Sequence, residues 1–386
     1  MDRANWYKVH SWVGLKLAIL LCFILVTGTL AVLSHELDWL SNSAMRVDTG
    51  SSGPMDWPRV YEMADRHFSG ARLTSLSAPP DPWFAAEAVY LDEHGERFRG
   101  FFHPVSGEFQ GTGRWHNWQR FFRMSHRHLM LPLPLGITLV CLVGLLLTGS
   151  LLSGTVIYRH WWRGFFRRPR TTNARVFWGD LHRLAGLWSF WLILIICLTG
   201  IWYLIEQWGG RASYPANARP AHQQVFNPVP GQLTRMLSQV AAERPELTLS
   251  TIFFPTANRN AVVMEGQARE LLVRDRANNM VFDPLDGQLL SSRYGKDLSW
   301  HVRISEAADP LHFGTWGGFA SKLLYFTFGV VMSALAVIGT YLYGLRASRR
   351  TRPGKMGNIW RGMHWGGWLS VLFVVLCLYN TAILFS

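Results

Sequence analysis

Charge is scarce in this chain. Only 16% of its 386 residues are Asp, Glu, Lys or Arg, against 49% hydrophobic; soluble domains carry about a quarter charged residues. That shortage excludes a disordered protein and argues against an ordinary soluble enzyme. Acids are the scarcer sign, with 25 Asp and Glu against 38 Lys and Arg, a formal charge of +13. Cysteine is scarce too. Cys22, Cys141, Cys197 and Cys377 all lie in long apolar runs, with no CxxC pair. This excludes a disulfide scaffold and speaks against a zinc ribbon or a thioredoxin-type site. No GxGxxG follows an alternating stretch, so a Rossmann cofactor domain is not supported.

What the chain has is length of apolar sequence. Five runs, at about 12–33, 133–157, 184–205, 323–345 and 365–385, are long enough to cross a bilayer, which takes about 20 residues. The first is read as a retained helix, because Ser34-His35-Glu36 follows it with no small-x-small cleavage site. The connection after the second run holds Arg159, Arg163, Arg167, Arg168, Arg170 and Arg175 against Asp180. The connection after the fourth holds Arg346, Arg349, Arg350, Arg352, Lys355 and Arg361 with no acid. Short basic loops stay in the cytoplasm. The N-terminus is therefore expected inside, the C-terminus outside, and the two long segments in the periplasm of a bacterial inner membrane.

The expected layout is a helix over 1–34, a periplasmic domain over 35–125, a helix over 126–158 and a basic loop over 159–181. A helix over 182–206, a second periplasmic domain over 207–319, a helix over 320–345, a basic loop over 346–363 and a last helix over 364–386 follow. The outer segments are near neutral: the first has nine basic and twelve acidic residues, the second eleven and ten. The positive excess thus sits with the membrane part, as a topological anchor. No nucleic-acid footprint is expected, and membrane lipid is the expected surrounding.

The outer segments share a pattern. Phe102-His103-Pro104-Val105-Ser106-Gly107 resembles Phe282-Asp283-Pro284-Leu285-Asp286-Gly287, turn chemistry between two strands. Upstream of each lie an alternating stretch (88–91 and 270–274) and an amphipathic helix candidate (57–67 and 233–242). Each segment reads as a small α+β unit, so the fold class is a polytopic α-helical membrane protein, internally repeated, with two small α+β outer domains.

Histidines mark the helix ends. His10, His182 and His364 precede the first, third and fifth runs, and Thr27, Thr199 and Thr381 each stand seventeen residues later. Gly28 and Gly200 follow the first two. On the opposite edge, His126 and His128 precede the second run and His312 the fourth, with Gly154-Thr155 and Gly339-Thr340 near the far ends. His35 lies at similar depth. One such His is ordinarily interfacial, but several at one depth on different helices suit bis-His ligation of b-type haem. Arg127 and Arg183 are candidate partners for haem propionates. The spans carry no mid-depth Asp or Glu, which weakens both a zinc site and a proton-coupled transporter.

Val9-His10-Ser11-Trp12-Val13-Gly14-Leu15 resembles the opening motif of the PepSY-associated transmembrane family. Ser125-His126-Arg127-His128-Leu129, Leu181-His182-Arg183 and Pro310-Leu311-His312-Phe313-Gly314 resemble its later motifs, and 281–289 resembles its PepSY hairpin. The layout is closest to the FoxB-type siderophore reductases. The resemblance implies two PepSY-like periplasmic domains, two b-type haems and a haem-dependent ferric-siderophore reductase, with a ferric hydroxamate as substrate. It favours His126 and His312 for the outer haem and His10 and His182 for the inner one. His364 repeats their spacing, so two of these three are expected to ligate; His128 and His35 remain alternatives to His126. His103 and Ser106 replace the family's Asp and Thr in the first hairpin. With no flavin or nicotinamide domain, quinol or a separate cytoplasmic reductase is the expected electron donor. A siderophore permease and a non-catalytic regulator are the competing readings.

Overall fold

The computed structural model describes residues 2–48, 53–68, 70–348 and 354–385; Arg349, Arg350 and Arg352 of the second basic connection lie outside them. The chain divides into two compact units. One gathers 1–34, 118–211 and 311–386; the other gathers 35–117 and 212–310.

The first unit is helical. Its elements are α1 (Arg3–Leu15), α2 (Ala18–Val32), α5 (Trp118–His128), α6 (Leu133–Ile157), α7 (Ala174–Trp188), α8 (Phe190–Ile205), α11 (Gly318–Ala347), α12 (Lys355–Met363) and α13 (Trp365–Phe385); the unit boundaries fall within α3 (Ser34–Ser41), after Ser34, and within α10 (Trp300–Phe313), after Pro310. Among the described residues, four helices are long and apolar enough to cross a membrane: α6, α8 with its extension to Gly210, α11 and α13. The bent pair α1–α2 makes a fifth if it counts as one span. The protein is therefore a helical membrane protein. At 1.5 Å per residue, the 25 residues of α6 reach about 37 Å, enough for a hydrocarbon core of about 30 Å.

The first apolar run is not one straight helix. It bends by 65° between α1 and α2, where Leu17 leaves helical geometry (φ −117°, ψ 35°). Lys16 supplies the physical reason. Its ammonium interrupts the apolar run and donates to the Gly362 carbonyl at 3.0 Å. The α12–α13 corner also packs so closely here that a Cβ on Gly366 would lie 2.1 Å from the Lys16 carbonyl.

The histidine-bearing segments before α6 and α11 are separate helices, α5 and α10. The chain turns after α5 through Leu129 and Met130 at φ 55° and 54°, and after α10 through Gly314 at φ 69°. Gly314 admits no side chain, because its Cβ would lie 2.4 Å from the Tyr325 ring.

The second unit is one eight-stranded antiparallel sheet. In chain order it holds α4 (Trp57–His67), β1 (Arg72–Ser77), β2 (Ala86–Leu91), β3 (Arg97–Phe102), β4 (Phe109–Arg114), α9 (Pro230–Glu243), β5 (Thr248–Phe253), β6 (Val262–Gln267), β7 (Asn278–Phe282) and β8 (Leu289–Arg293). The sheet order is β4-β3-β2-β1-β5-β6-β7-β8. Each half runs helix then four strands, and β1 joins β5 through Ser75↔Phe253, Leu76↔Ile252 and Ser77↔Thr251. A shared core of Val60, Tyr61, Leu76, Met236, Val240, Ile252 and Phe282 underlies both helices.

The stretch 270–274 is not a strand; the strand preceding β7 is Val262–Gln267. Leu271 is 81% exposed and Leu272 sits at φ 55°, so the alternating Leu and Val there mark a turn. In the β3–β4 hairpin, His103 Nδ1 accepts from the Val105 and Ser106 amides at 3.3 and 3.1 Å. In the β7–β8 hairpin, Asp283 Oδ1 accepts from the Leu285 amide at 2.8 Å. An imidazole nitrogen thus does in one turn what a carboxylate oxygen does in the other.

Candidate histidine pairs

Four histidines of the helical unit meet as two pairs. The rings of His126 (α5) and His312 (α10) lie 6.0 Å apart at 41°; those of His10 (α1) and His182 (α7) lie 6.3 Å apart at 80°.

The hydrogen bonds of each ring fix its tautomer. His126 Nδ1 lies 2.8 Å from the Ile24 carbonyl, which only accepts, so Nδ1 carries the proton. His312 Nδ1 meets Thr199 Oγ1 at 2.8 Å. That hydroxyl gives its own proton to the Ile195 carbonyl at 2.7 Å and therefore accepts from the imidazole. His10 Nδ1 faces the Ser150 carbonyl at 3.1 Å and Ser153 Oγ at 3.0 Å, while Ser153 Oγ donates to the Gly149 carbonyl. In all three the Nδ1 proton is committed and Nε2 keeps its lone pair. This arrangement presets a histidine as a metal ligand. His182 Nδ1 is buried without a hydrogen-bond partner of normal geometry; the Leu335 carbonyl of α11 is its near neighbour.

The Gly and Thr positions receive these rings. A Cβ on Gly28 would lie 2.6 Å from His126 Cε1 and Nδ1. One on Gly339 would lie 3.1 Å from His182 Cε1, and one on Gly154 3.6 Å from His10 Cε1. Each histidine therefore rests against a small residue of a neighbouring helix: His126 on Gly28 of α2, His312 on Thr199 of α8, His10 on Gly154 of α6 and His182 on Gly339 of α11. Because its bond to Ile24 holds the His126 ring, Gly28→Ala is expected to cost about 1–3 kcal/mol by overpacking. Gly200→Ala, whose Cβ would meet nothing within 4 Å, is expected to be neutral or slightly stabilising. Thermal unfolding of the detergent-solubilised variants checks both.

A model of the family described as the PepSY-associated TM region matches residues 7–346. The chain belongs to this family. It is also similar to the uncharacterized protein PA4219 of Pseudomonas aeruginosa, with 25% identity over 241 residues, 56% of this chain and 61% of the relative. The chain thus spans about three fifths of the length of that curated relative.

The other histidines of this PepSY-associated chain are placed differently. His128 is buried, and its Nδ1 binds the Leu131 carbonyl at 2.8 Å, closing the turn after α5. His364 is exposed at φ 52°, at the corner between α12 and α13. His35 belongs to the sheet unit. Arg127 is exposed. Arg183 bonds Asp180, which also takes Arg170 at 2.9 Å; the Arg170 hydrogen bond leads in holding the Asp180 carboxyl well below the usual carboxylate range.

The donor sets fit haem better than zinc. Two imidazoles whose ring centres lie about 6 Å apart would be spaced to share one haem iron between them. Both pairs have that spacing. No group of three or more His, Cys, Asp or Glu gathers as a metal would require among the described residues. The supporting Ser150, Ser153 and Ile24 escaped sequence reading, because a serine or a backbone carbonyl inside an apolar run has no distinguishing pattern.

Proposed function

We propose that the protein is an inner-membrane di-haem b oxidoreductase that carries electrons across the membrane and reduces a ferric siderophore, of hydroxamate type, in the periplasm. The observation that carries this reading is the pair of two-histidine sites, each spaced for one bis-His iron, with three of four Nδ1 protons already committed. Haem held there by two histidines would supply a one-electron couple suited to electron transfer. His10 and His182 hold the cytoplasmic side; His126 and His312 hold the periplasmic side. The orientation follows from the basic connections, with five spans, the N-terminus inside and the C-terminus outside. The two halves of the sheet unit are then repeated PepSY-like domains in the periplasm.

The distance suits the role. His312 binds Thr199, seventeen residues beyond His182 on the α7–α8 path, so the two pairs lie about 25 Å apart by helical rise. Trp191 packs between them in sequence, edge-on against Tyr325 and Phe328. The iron chemistry balances simply. One electron converts each Fe³⁺ to Fe²⁺, for which hydroxamate oxygens, hard ligands, have much lower affinity. A quinol donor would reduce two irons and release two protons; a cytoplasmic reductase would deliver the electrons singly.

The test is stopped-flow mixing of anaerobic, dithionite-reduced protein, freed of excess reductant, with a ferric hydroxamate and a Fe²⁺-specific chelator. Reoxidation with one Fe²⁺ trapped per haem is expected. Reoxidation by quinones alone, with no Fe²⁺ from any ferric chelate, contradicts the proposal.

A further inference from the structure

The sheet unit contains a cavity of about 380 Å³ that the haem reading leaves unused. Its floor is a row across three strands: Glu265 on β6 pairs with Asn279 on β7, which pairs with Arg293 on β8. Strand alternation turns this row away from the core formed by Val262, Met264 and Met280. Arg259, from the loop between β5 and β6, and Tyr214, from the segment before α9, complete the wall.

Some of these groups are already satisfied. Arg293 donates to the Pro215 carbonyl and Asn217 Oδ1 at 2.6 and 2.7 Å, tying down the covering segment. Arg276 is bound to Glu306. Three groups have capacity left. Arg259 spends one nitrogen on the Phe254 carbonyl, but its Nε is buried with no partner and it forms no ion pair among the described residues. Asn279, 1% exposed, gives its Nδ2 protons to the Asn217 side chain and the Arg276 carbonyl. The carbonyl can only accept, so the amide orientation is fixed and Oδ1 is a buried acceptor without a donor. Glu265 makes no hydrogen bond among the described residues. Burial, opposed by Arg259, Arg276 and Arg293 and reinforced by Asp275, pushes its carboxyl up to about 7. The matching face of the other half carries Glu87 and Arg99, which bond each other at 3.2 Å and have no such surplus.

A half-buried guanidinium whose buried Nε has no partner, and whose neighbouring carboxyl, Glu265, burial pushes toward its neutral form, has room for an oxyanion. A buried acceptor without a donor calls for an O–H or N–H on the same ligand. We propose that this cavity binds a small hydroxycarboxylate, its carboxylate held by Arg259 and its hydroxyl donating to Asn279 Oδ1. Guanidinium groups outnumber carboxyls around the cavity, so a hydroxyl suits the second position better than an ammonium. Neutral Glu265 donates its own proton to the bound carboxylate; ionised Glu265 repels it. The site is independent of the haem ligands.

The experiment is isothermal titration of the full-length protein in detergent with L-malate, succinate, L-aspartate and inorganic phosphate. One malate per chain is expected to bind, more tightly than the other three. Affinity is expected to fall about tenfold from pH 6 to pH 8, as a group near 7 ionises while malate stays fully charged. Arg259→Gln should weaken binding at least tenfold, with Arg259→Lys between it and the wild type. Glu265→Gln should bind malate equally at both pH values, a readout that a misfolded Arg259 variant cannot obscure. The proposal is overturned by no malate binding at millimolar concentration, or by succinate, aspartate or phosphate binding as tightly as malate. Unaltered affinity in a folded Arg259→Gln, or unaltered pH dependence in Glu265→Gln, also overturns it.

Discussion

His126→Ala and His312→Ala are each expected to remove about half of the bound haem and leave the other half spectrally unchanged. If the two imidazoles of a pair hold one haem, loss of either would leave that haem with a single protein ligand. His10→Ala and His182→Ala should remove the complementary half, and His10→Ala combined with His312→Ala should leave none. His364→Ala and His128→Ala should leave the count unchanged, because His364 is exposed and His128 is spent on the Leu131 carbonyl. Pyridine haemochrome against protein mass measures each stoichiometry. Full retention in both His126→Ala and His312→Ala refutes the assignment of that pair. Thr199→Val should act more mildly than His312→Ala. It frees the Nδ1 proton without removing the ligand, and a lost supporting bond of this kind costs metal affinity about 10- to 100-fold.

Glu306→Ala is expected to destabilise the sheet unit by about 3–5 kcal/mol. The Glu306 side chain is fully buried. It accepts from Arg274 at 2.7 and 3.1 Å and from the Arg274 amide at 3.1 Å, and from Arg276 at 3.1 and 2.9 Å. Asp309 takes the remaining Arg274 nitrogen at 2.7 Å. Removing the shared carboxylate leaves two guanidiniums with one acid between them, one of them largely out of water. For a unit of this size the loss corresponds to a fall in melting temperature of about 10 °C, read by circular dichroism at the β-sheet signal. Glu306→Gln, which keeps the shape and one acceptor oxygen, should cost less. A shift below about 2 °C for Glu306→Ala would show that the cluster is solvated and weak.

The parts of the fold set by local pattern were legible in the sequence. α6 and α13 begin and end where the apolar runs do, and α4 matches its amphipathic stretch from Trp57 to His67. The parts set by distant contacts were not. The break at Lys16 depends on the Gly362 carbonyl, 346 positions away. The union of the two long segments between the apolar runs depends on β1 meeting β5 across some 175 positions, and nothing in either strand announces it. The 270–274 stretch has a strand's alternation but needs a positive φ at Leu272, which alternation cannot report.

The histidine sites divide in the same way. Their two depths are a matter of spacing along helices and can be counted. The choice of His182 over His364 beside His10 depends on which helices pack together. The Gly and Thr marks were visible as a repeat, but their use was not: each receives a histidine from a neighbouring helix, a relation that exists only once the bundle has formed.

The most direct test of the central claim is the haem content of the wild-type protein, purified from haem-replete cells. A red preparation with two b-type haems per chain is expected. It should show a Soret band that shifts and a sharp α-band that appears when dithionite is added, without binding of carbon monoxide, as expected if two histidines hold each haem. A colourless preparation, or one whose haem stays bound when His10, His126, His182 and His312 are all replaced, contradicts it.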